Sequence, residues 1–254
     1  MKRIVFLVVF VAFSLLLWSC NEETTPPMSA TETGQNEKTE VESGAEFNLD
    51  NFSTPAEYEV VLENLTPLTG PTSSQPFSPP VLATHKSGVR LFKLDKYASD
   101  ELRQIAEDAV NEPMVEKLKS LDKVYQVVDA ASTTMPIFPG ESATFMIQAE
   151  RGYNRISLVC MLVNTNDAFT GITRAKLPQH GKRVYYLYAY DAGTEKNTEL
   201  ITHIPGPCCG SPLVRVPTHR KIRFHRGILG IGDLDSALYD WDGKVAKLTI
   251  SRVN

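Results

Sequence analysis

Residues 155–163 read Arg-Ile-Ser-Leu-Val-Cys-Met-Leu-Val, a nearly continuous apolar run. Successive side chains of a strand point to opposite faces of the sheet. A strand that is apolar at both sets of positions is therefore predicted to lie inside a sheet with both faces covered. A short polar loop containing Asp167 follows this run. A second run, residues 183–190, carries four tyrosines and is followed directly by Asp191.

The rest of the region from residue 56 onwards predicts further short strands and one helical insertion. Apolar and polar residues alternate in several segments, as in half-buried strands. Ser99 is a candidate helix N-cap, with Asp100 and Glu101 in the first turn and apolar residues at helical spacing up to Val110. Pro113 begins a second short helix. The pattern predicts a mainly β fold, an antiparallel β-sandwich with a short helical insertion. The predicted strands are residues 58–65, 89–92, 124–128, 143–148, 155–163, 183–190, 221–225 and 244–252.

Three acidic residues follow the two apolar runs: Asp167 after the first, and Asp191 and Glu195 after the second. Loops at strand ends can bring carboxylates to one point, where six to eight oxygens bind Ca²⁺. Gly193 would let the chain bend so that Glu195 returns towards Asp191. Aspartate and asparagine also close turns for local reasons, which is the competing interpretation. A second acidic cluster, residues 230–235 followed by Asp240 and Asp242, lacks the EF-hand spacing and is interpreted as a hydrogen-bonded surface turn rather than a second metal site.

The N-terminus predicts export and lipid attachment. Lys2 and Arg3 precede an apolar segment, residues 4–18, that is too short to span a bilayer comfortably and is typical of a signal peptide. The sequence Leu-Trp-Ser-Cys at residues 17–20 resembles a bacterial lipobox. This resemblance implies cleavage after residue 19 and acylation of Cys20, whose acyl chains would anchor the protein in a membrane. The alternative is an ordinary secretory signal in which Cys20 has no role.

Residues 20–55 are predicted to be a disordered acidic tether, and residues 56–254 a single domain. Between residues 21 and 50, eight acidic residues face one lysine and large apolar residues are scarce. Such a segment buries too little surface to offset its ordering entropy. The whole chain carries a net charge of −4 without a basic stripe, which argues against a nucleic-acid partner.

With Cys20 assigned to lipid attachment, three cysteines remain, and the sequence does not decide whether any two of them form a disulfide. Cys160 lies within the apolar run and is predicted to be a buried thiol. Cys208 and Cys209 follow a turn-rich loop. An exported protein permits a bridge from Cys160 to either of them, but spacing alone does not establish one.

Several motifs, in the same order, resemble the spondin N-terminal domain family, known from extracellular matrix proteins such as F-spondin and mindin. They are Pro-Phe-Ser-Pro-Pro-Val at residues 76–81, Thr-His at 84–85, Lys-Tyr-Ala-Ser at 96–99, Asn-Asp-Ala-Phe-Thr-Gly at 166–171 and Tyr-Asp-Ala-Gly-Thr-Glu at 190–195. The resemblance extends over residues 77–254. It implies a β-sandwich similar to calcium-dependent membrane-binding sandwiches, and the metal-binding acids of the family fall on Asp167, Asp191 and Glu195. The animal pattern has Pro-Asp-Trp around the first acid and aspartate at the last.

Together these observations predict a lipid-anchored protein of the bacterial cell envelope, in the outer membrane, rather than an enzyme. Its domain would bind one Ca²⁺ and recognise an extracellular protein or glycan. An exported hydrolase that uses the same carboxylates, with or without a metal, is the alternative, since raised carboxyl pKa values in a deep cleft would favour catalysis. A structural envelope protein, in which the acids only close turns, is the third possibility.

Overall fold

The described part of the chain, residues 54–69, 74–206 and 212–254 of a computed structural model, contains nine β-strands and three α-helices. The chain divides into two units, Met1–Phe47 and Asn48–Asn254, and all described residues belong to the second. The predicted signal peptide, Cys20, Cys208 and Cys209 lie outside the described residues, as does almost all of the predicted tether. The strands are β1 (Ala56–Asn64), β2 (Val81–His85), β3 (Val124–Asp129), β4 (Ser142–Ala149), β5 (Arg155–Met161), β6 (Ala168–Lys176), β7 (Lys182–Asp191), β8 (Arg223–Phe224) and β9 (Lys244–Arg252). The helices are α1 (Asp100–Asp108), α2 (Glu112–Lys119) and α3 (Ser236–Tyr239).

All strand pairs are antiparallel, in the order β3-β2-β5-β6-β7-β9-β1-β4, with β8 added beside β7. Strand β7 belongs to both layers of a sandwich. Its first seven residues pair with β9, whereas its end, from Ala189 to Asp191, pairs with β6 and β8. At the far edges, the backbone N–H of Gln148 in β4 donates to Oε1 of Gln126 in β3 at 2.5 Å. The predicted antiparallel β-sandwich is therefore confirmed.

Alternating side chains from both layers fill the space between them. Val60 and Leu62 of β1, Ile147 of β4, and Leu248 of β9 are fully buried there together with Leu158 of β5. Their polar neighbours point outwards, which is why β1 and β4 read as alternating strands in the sequence. Fully burying a side chain of this size contributes about 1.5–3 kcal/mol.

A second core explains the strand that is apolar on both faces. Helices α1 and α2 contribute Leu102, Ile105 and Met114, which pack over Val159 of β5 and Phe169 of β6 on the outer side of the sheet. Ser99 caps α1, because its Oγ accepts the backbone N–H of Leu102 at 3.4 Å. The helical insertion is thus a third layer, and β5 is buried on both faces as predicted.

Three predictions about strands were wrong or incomplete. Residues 89–92 are irregular, and their buried side chains pack into the helical core rather than into a sheet. Strands β2 and β6 were not predicted from the sequence. Strand β8 is shorter than the predicted segment 221–225, with only Arg223 and Phe224 in strand conformation.

The two ends of the sandwich differ in what they carry. Strands β1 and β7 are both antiparallel to β9 and so run in the same direction. Lys182, at the start of β7, lies beside the end of β9. The start of β1 lies beside the same end of β9. Asp191, at the end of β7, therefore lies at the opposite end of the sandwich from Ala56. None of the helices in residues 54–69, 74–206 and 212–254 has the length and apolar character needed to cross a membrane.

Candidate functional site

The register of β6 against β7 brings two of the predicted acids side by side. Asp167 occupies the turn between β5 and β6, and Ala168 next to it pairs with Asp191, the last residue of β7. The backbone N–H of Ala192 donates to the carbonyl of Asp167 at 3.1 Å. The 191–195 segment then wraps around the Asp167 side chain. We call the region formed by Asp167, Asp191 and Glu195 the acidic site.

The Asp167 carboxylate is buried and uses only one of its two oxygens. Oδ2 accepts the backbone N–H groups of Thr194 at 2.8 Å and Glu195 at 3.0 Å, and the Thr194 hydroxyl at 3.3 Å. Oδ1 is buried without a hydrogen-bond partner among the described residues. Burial, followed by the charge of Asp191, raises the pKa of Asp167 to about 7, although the two N–H donors oppose this shift. A buried carboxylate with an unpartnered oxygen needs a proton or a cation.

Asp191 has a full set of partners. Its Oδ1 accepts the N–H of Gly193 at 2.7 Å. Its Oδ2 accepts from Asn197 Nδ2 at 3.0 Å and from Arg223 Nε and Nη2 at 3.1 and 2.7 Å. Arg223 lies directly opposite Asp191 in the β7–β8 pair. The Asp191 side chain is 2% exposed and that of Arg223 is 44% exposed, so the ion pair lies at the boundary with solvent.

Glu195 joins the acidic site through its backbone but turns its carboxylate towards another cation. Its N–H binds Asp167, whereas its Oε1 pairs with Arg215 Nη1 at 3.1 Å. Its Oε2 is buried without a hydrogen-bond partner among the described residues. Burial is the largest cause that raises the pKa of Glu195; Arg215 opposes it, while Glu107 and Asp108 at the end of α1 add to it.

Asn166 and Glu199 hold a third loop beside the acidic site. Asn166 Oδ1 accepts the N–H groups of Thr198 at 3.1 Å and Glu199 at 3.4 Å. The Glu199 carboxylate accepts the N–H groups of Leu229 at 2.7 Å and Ile231 at 2.8 Å. These contacts fasten the 227–235 segment to the loop that follows Glu195.

The second acidic cluster is a hydrogen-bonded turn, as interpreted from the sequence. Asp233 Oδ2 accepts the N–H of Ile201 at 2.9 Å, and Asp235 caps α3 through the N–H of Ala237 at 2.9 Å. Asp240 Oδ1 accepts the N–H of Ile228 at 2.8 Å. These three carboxylates therefore stabilise the loop structure, whereas Asp242 of the same cluster has no hydrogen-bond partner among the described residues.

The donor chemistry of the acidic site fits a calcium ion, although the ligands are not preassembled. Buried oxygens without hydrogen-bond partners among the described residues are found on Asp167, Glu195 and Asn197, and carboxylate and amide oxygens are the ligands that Ca²⁺ prefers. Within residues 54–69, 74–206 and 212–254, no group of three or more His, Cys, Asp or Glu side chains is arranged to hold a metal. A bound ion would therefore require the Asp191 or Glu195 carboxylate to turn from its arginine.

Sequence reasoning missed the two arginines that neutralise these acids. Arg223 pairs with Asp191 across β7 and β8. Arg215 bridges Glu195 and Asp108. A visible signal for Arg223 was the strand-like segment itself, since opposite charges favour directly opposed positions in neighbouring strands.

Cys160 carries a free, fully buried thiol, and burial raises its pKa. A buried thiol of this kind behaves as a small apolar side chain. The prediction for its state is therefore confirmed.

The fold and the site define an antiparallel sandwich with an acidic loop region at one end. The family model for the spondin N-terminal domain (Spondin_N) matches residues 56–204, more than half of the chain, and this range contains all three acids. The chain therefore belongs to the spondin N-terminal domain family. No curated protein matched the chain.

The match begins earlier than the predicted resemblance, at residue 56 rather than 77, and it ends before the last strand. Strand β9 lies outside the matched range but pairs with both β1 and β7 in the middle of its layer. Spondin domains occur in secreted or extracellular proteins, and membership indicates an extracellular ligand-binding or adhesion-type module.

Proposed function

We propose that this protein is a lipid-anchored, exported spondin-type module of the bacterial cell envelope that binds one Ca²⁺ and recognises an extracellular partner. The buried, unpartnered Oδ1 of Asp167 beside Asp191 supports the calcium site most directly. The acidic site lies at the end of the sandwich opposite to Ala56, where the predicted tether joins the domain.

The ion would be held by Asp167 and Asp191, with Glu195 as the ligand most easily displaced. When bound, the cation supplies positive charge to a site that otherwise places two carboxylates close together. Asp167 contributes an oxygen that no group in the described part of the chain satisfies. Asp191 and Glu195 contribute by exchanging an arginine partner for the ion. Competition from these arginines favours the weak affinity of extracellular calcium modules, about 10⁻⁴–10⁻³ M.

Calcium is expected to raise the melting temperature of the full chain. At a free concentration ten times the Kd, binding to the native state adds about 1.4 kcal/mol to the free energy of unfolding. For a domain of this size we expect Tm to rise by about 3–5 °C. The measurement is thermal unfolding followed by circular dichroism in 5 mM Ca²⁺ and again after excess chelator, which should reverse the shift.

Matched variants separate specific binding from general ion effects. Asp191→Asn removes a ligand charge at the acidic site and is expected to abolish the shift. Asp233→Asn changes a carboxylate that binds only the Ile201 N–H in another loop, and it should keep the shift. An unshifted wild type, or equal shifts in both variants, would contradict the calcium proposal.

Lipid anchoring through Cys20 is expected to decide where the protein fractionates. The wild-type chain should sediment with outer membranes and incorporate labelled palmitate. Cys20→Ala should lose the label and the membrane association, because the acyl chains supply the anchoring energy. Palmitate incorporation that persists in Cys20→Ala would contradict the assignment.

The hydrolase alternative is less well supported by the structure. A pKa of about 7 at Asp167 would suit a general acid. However, the Asp167 side chain is fully buried and so cannot contact a substrate in this conformation. A cavity of about 640 Å³ lies beside the helical layer, with Leu91, Phe92 and Lys96 in its lining, and none of the three acids lines it. Membership in a family that is not known for enzymes also favours a binding module.

A further inference from the structure

A second cavity, of about 520 Å³, lies near the end of β7, and we call it the aromatic pocket. Six side chains with distinct chemistry line it: Tyr188, Phe224, Trp241, His225, Arg226 and Asp242. The other three lining residues are one alanine and two glycines. Its volume lies within the range of about 300–1,000 Å³ that is usual for small-ligand sites.

The aromatic rings of the pocket form two contacting pairs and are partly exposed. Tyr188 and Phe224 meet edge to face at 5.5 Å between centroids, and Trp241 lies 5.2 Å from the His225 ring. Tyr186 extends the surface along β7, and Lys244 Nζ lies 5.7 Å from the centroids of both Tyr186 and Tyr188. Phe224 is 53% exposed and Tyr186 54% exposed. A contiguous group of large exposed apolar side chains marks a binding surface, whereas isolated ones need no explanation.

Polar groups with free hydrogen-bonding capacity stand beside these rings. Neither Arg226 nor Asp242 has a hydrogen-bond or ion-pair partner among the residues that the structure describes. His225 Nδ1 accepts the N–H of Gly227 at 3.1 Å. Burial lowers the pKa of His225 to about 4, so the ring is neutral at pH 7 and carries its proton on Nε2. The pocket thus offers a guanidinium donor, a carboxylate acceptor and an imidazole donor.

The composition of the pocket favours a carbohydrate over a peptide. No aliphatic side chain larger than alanine lines it, whereas pockets for apolar peptide anchors need such side chains. The C–H face of a pyranose ring packs against an aromatic ring, and its adjacent hydroxyl groups bind planar groups such as guanidinium and carboxylate. We propose that the aromatic pocket binds a pyranose unit of an extracellular glycan. This inference rests on the ligand-binding part of the proposed function, but the pocket contains none of the predicted calcium ligands.

Trp241 provides a direct reporter for this site. The chain contains two tryptophans, Trp18 and Trp241. In a full chain carrying Trp18→Phe, all tryptophan fluorescence comes from the pocket. Soluble β-glucan, α-mannan, chitin hexamer and alginate are titrated separately in the presence of chelator, with insulin, which contains no tryptophan, as a protein probe. We expect a saturable change in fluorescence with at least one of the glycans.

Two variants and one control test whether the pocket is the site. Asp242→Asn keeps the shape of the side chain and is expected to weaken glycan binding at least fivefold. Phe224→Ala is expected to weaken it at least tenfold. Tyr97→Ala removes an aromatic ring that is 52% exposed but stacks on His219 outside the pocket, and it should bind like the parent. Circular dichroism confirms that each variant is folded.

Three results would overturn the proposal: no response to any of the four glycans, equal binding in all three variants, or a response to insulin alone. Glycan binding without a calcium-dependent Tm shift would disprove the calcium site and leave the aromatic pocket intact. A calcium shift without glycan binding would do the reverse.

Discussion

Asp167→Asn is expected to stabilise the metal-free protein at pH 7.5 by up to about 4 kcal/mol. The pKa of Asp167 rises from its ordinary value of 3.8 to about 7, and each unit corresponds to about 1.4 kcal/mol. An asparagine oxygen can still accept the N–H groups of Thr194 and Glu195, and the change removes the buried charge. Its amide group needs an acceptor of its own at the position of the unpartnered oxygen, which offsets part of this gain. The same change should abolish stabilisation by calcium, because a ligand charge is lost.

The gain from Asp167→Asn should depend on pH in a defined direction. A carboxyl whose folded pKa is raised stabilises the protein below pH 3.8 and loses that contribution as pH rises through about 7. The variant and the wild type should therefore have similar stability near pH 4 and diverge towards pH 8. Urea unfolding in chelator across this range measures the difference. A constant difference at all pH values would show that Asp167 does not titrate in this window.

His225 gives the opposite dependence and has to be separated from Asp167. Its folded pKa is lowered from 6.5 to about 4, so the native state favours the neutral ring and stability falls as pH drops through that interval. The two effects partly cancel in the wild type. Both Asp167→Asn and the wild type retain His225. Its contribution to the pH dependence therefore cancels when the stabilities of the two proteins are subtracted.

Gly193→Ala is expected to destabilise the protein by about 2–5 kcal/mol. Gly193 has a φ of +76°, a conformation that costs other residues about 1–2 kcal/mol. A Cβ atom there would also lie 2.4 Å from the carbonyl oxygen of Arg220. That segment is held by backbone bonds, since the Arg220 N–H donates to the Gly193 carbonyl at 2.8 Å. The clash must therefore move the backbone around the acidic site, which adds about 1–3 kcal/mol.

Gly140→Ala is the matched control for this effect. Gly140 has a similar φ of +80°, but nothing lies within 4 Å of its added Cβ. Gly140→Ala should therefore lower the free energy of unfolding only by the cost of the positive φ, about 1–2 kcal/mol. Urea unfolding of both variants gives the comparison. If Gly193→Ala were no more destabilising than Gly140→Ala, the close approach to Arg220 would have no energetic weight.

Local signals in the sequence were sufficient for α1, α2 and the alternating strands, whereas the short helix α3 was not predicted. Ser99 and the acids after it marked the start of α1, since capping depends on residues within one turn. Strand β2 was missed because it is buried along its whole length, and a short apolar run lacks the alternation that identifies a strand. Strand β6 contains Gly171, where a Cβ would lie 2.4 Å from the Leu158 carbonyl oxygen. That glycine serves a close approach between strands, although glycine in a sequence favours a loop.

The sequence predicted where the backbone places the acids of the site, but not which residues pair with their carboxylates. Asp167 and Asp191 both follow apolar runs, and the β6–β7 register does bring them together. The partners of the carboxylates depend on tertiary contacts: Arg223 is 32 residues from Asp191, and Arg215 is 20 residues from Glu195. No local pattern fixes those pairings.

The place of β1 in its layer has a mechanical consequence. The predicted tether enters the domain at β1, which is paired on one side with β4 and on the other with β9. A pull between an anchored Cys20 and a ligand at the opposite end of the sandwich would act along the axis of β1. Both rows of hydrogen bonds would then be loaded in shear and would have to break together, instead of opening one after another. Such a connection resists force better than one whose hydrogen bonds open one at a time.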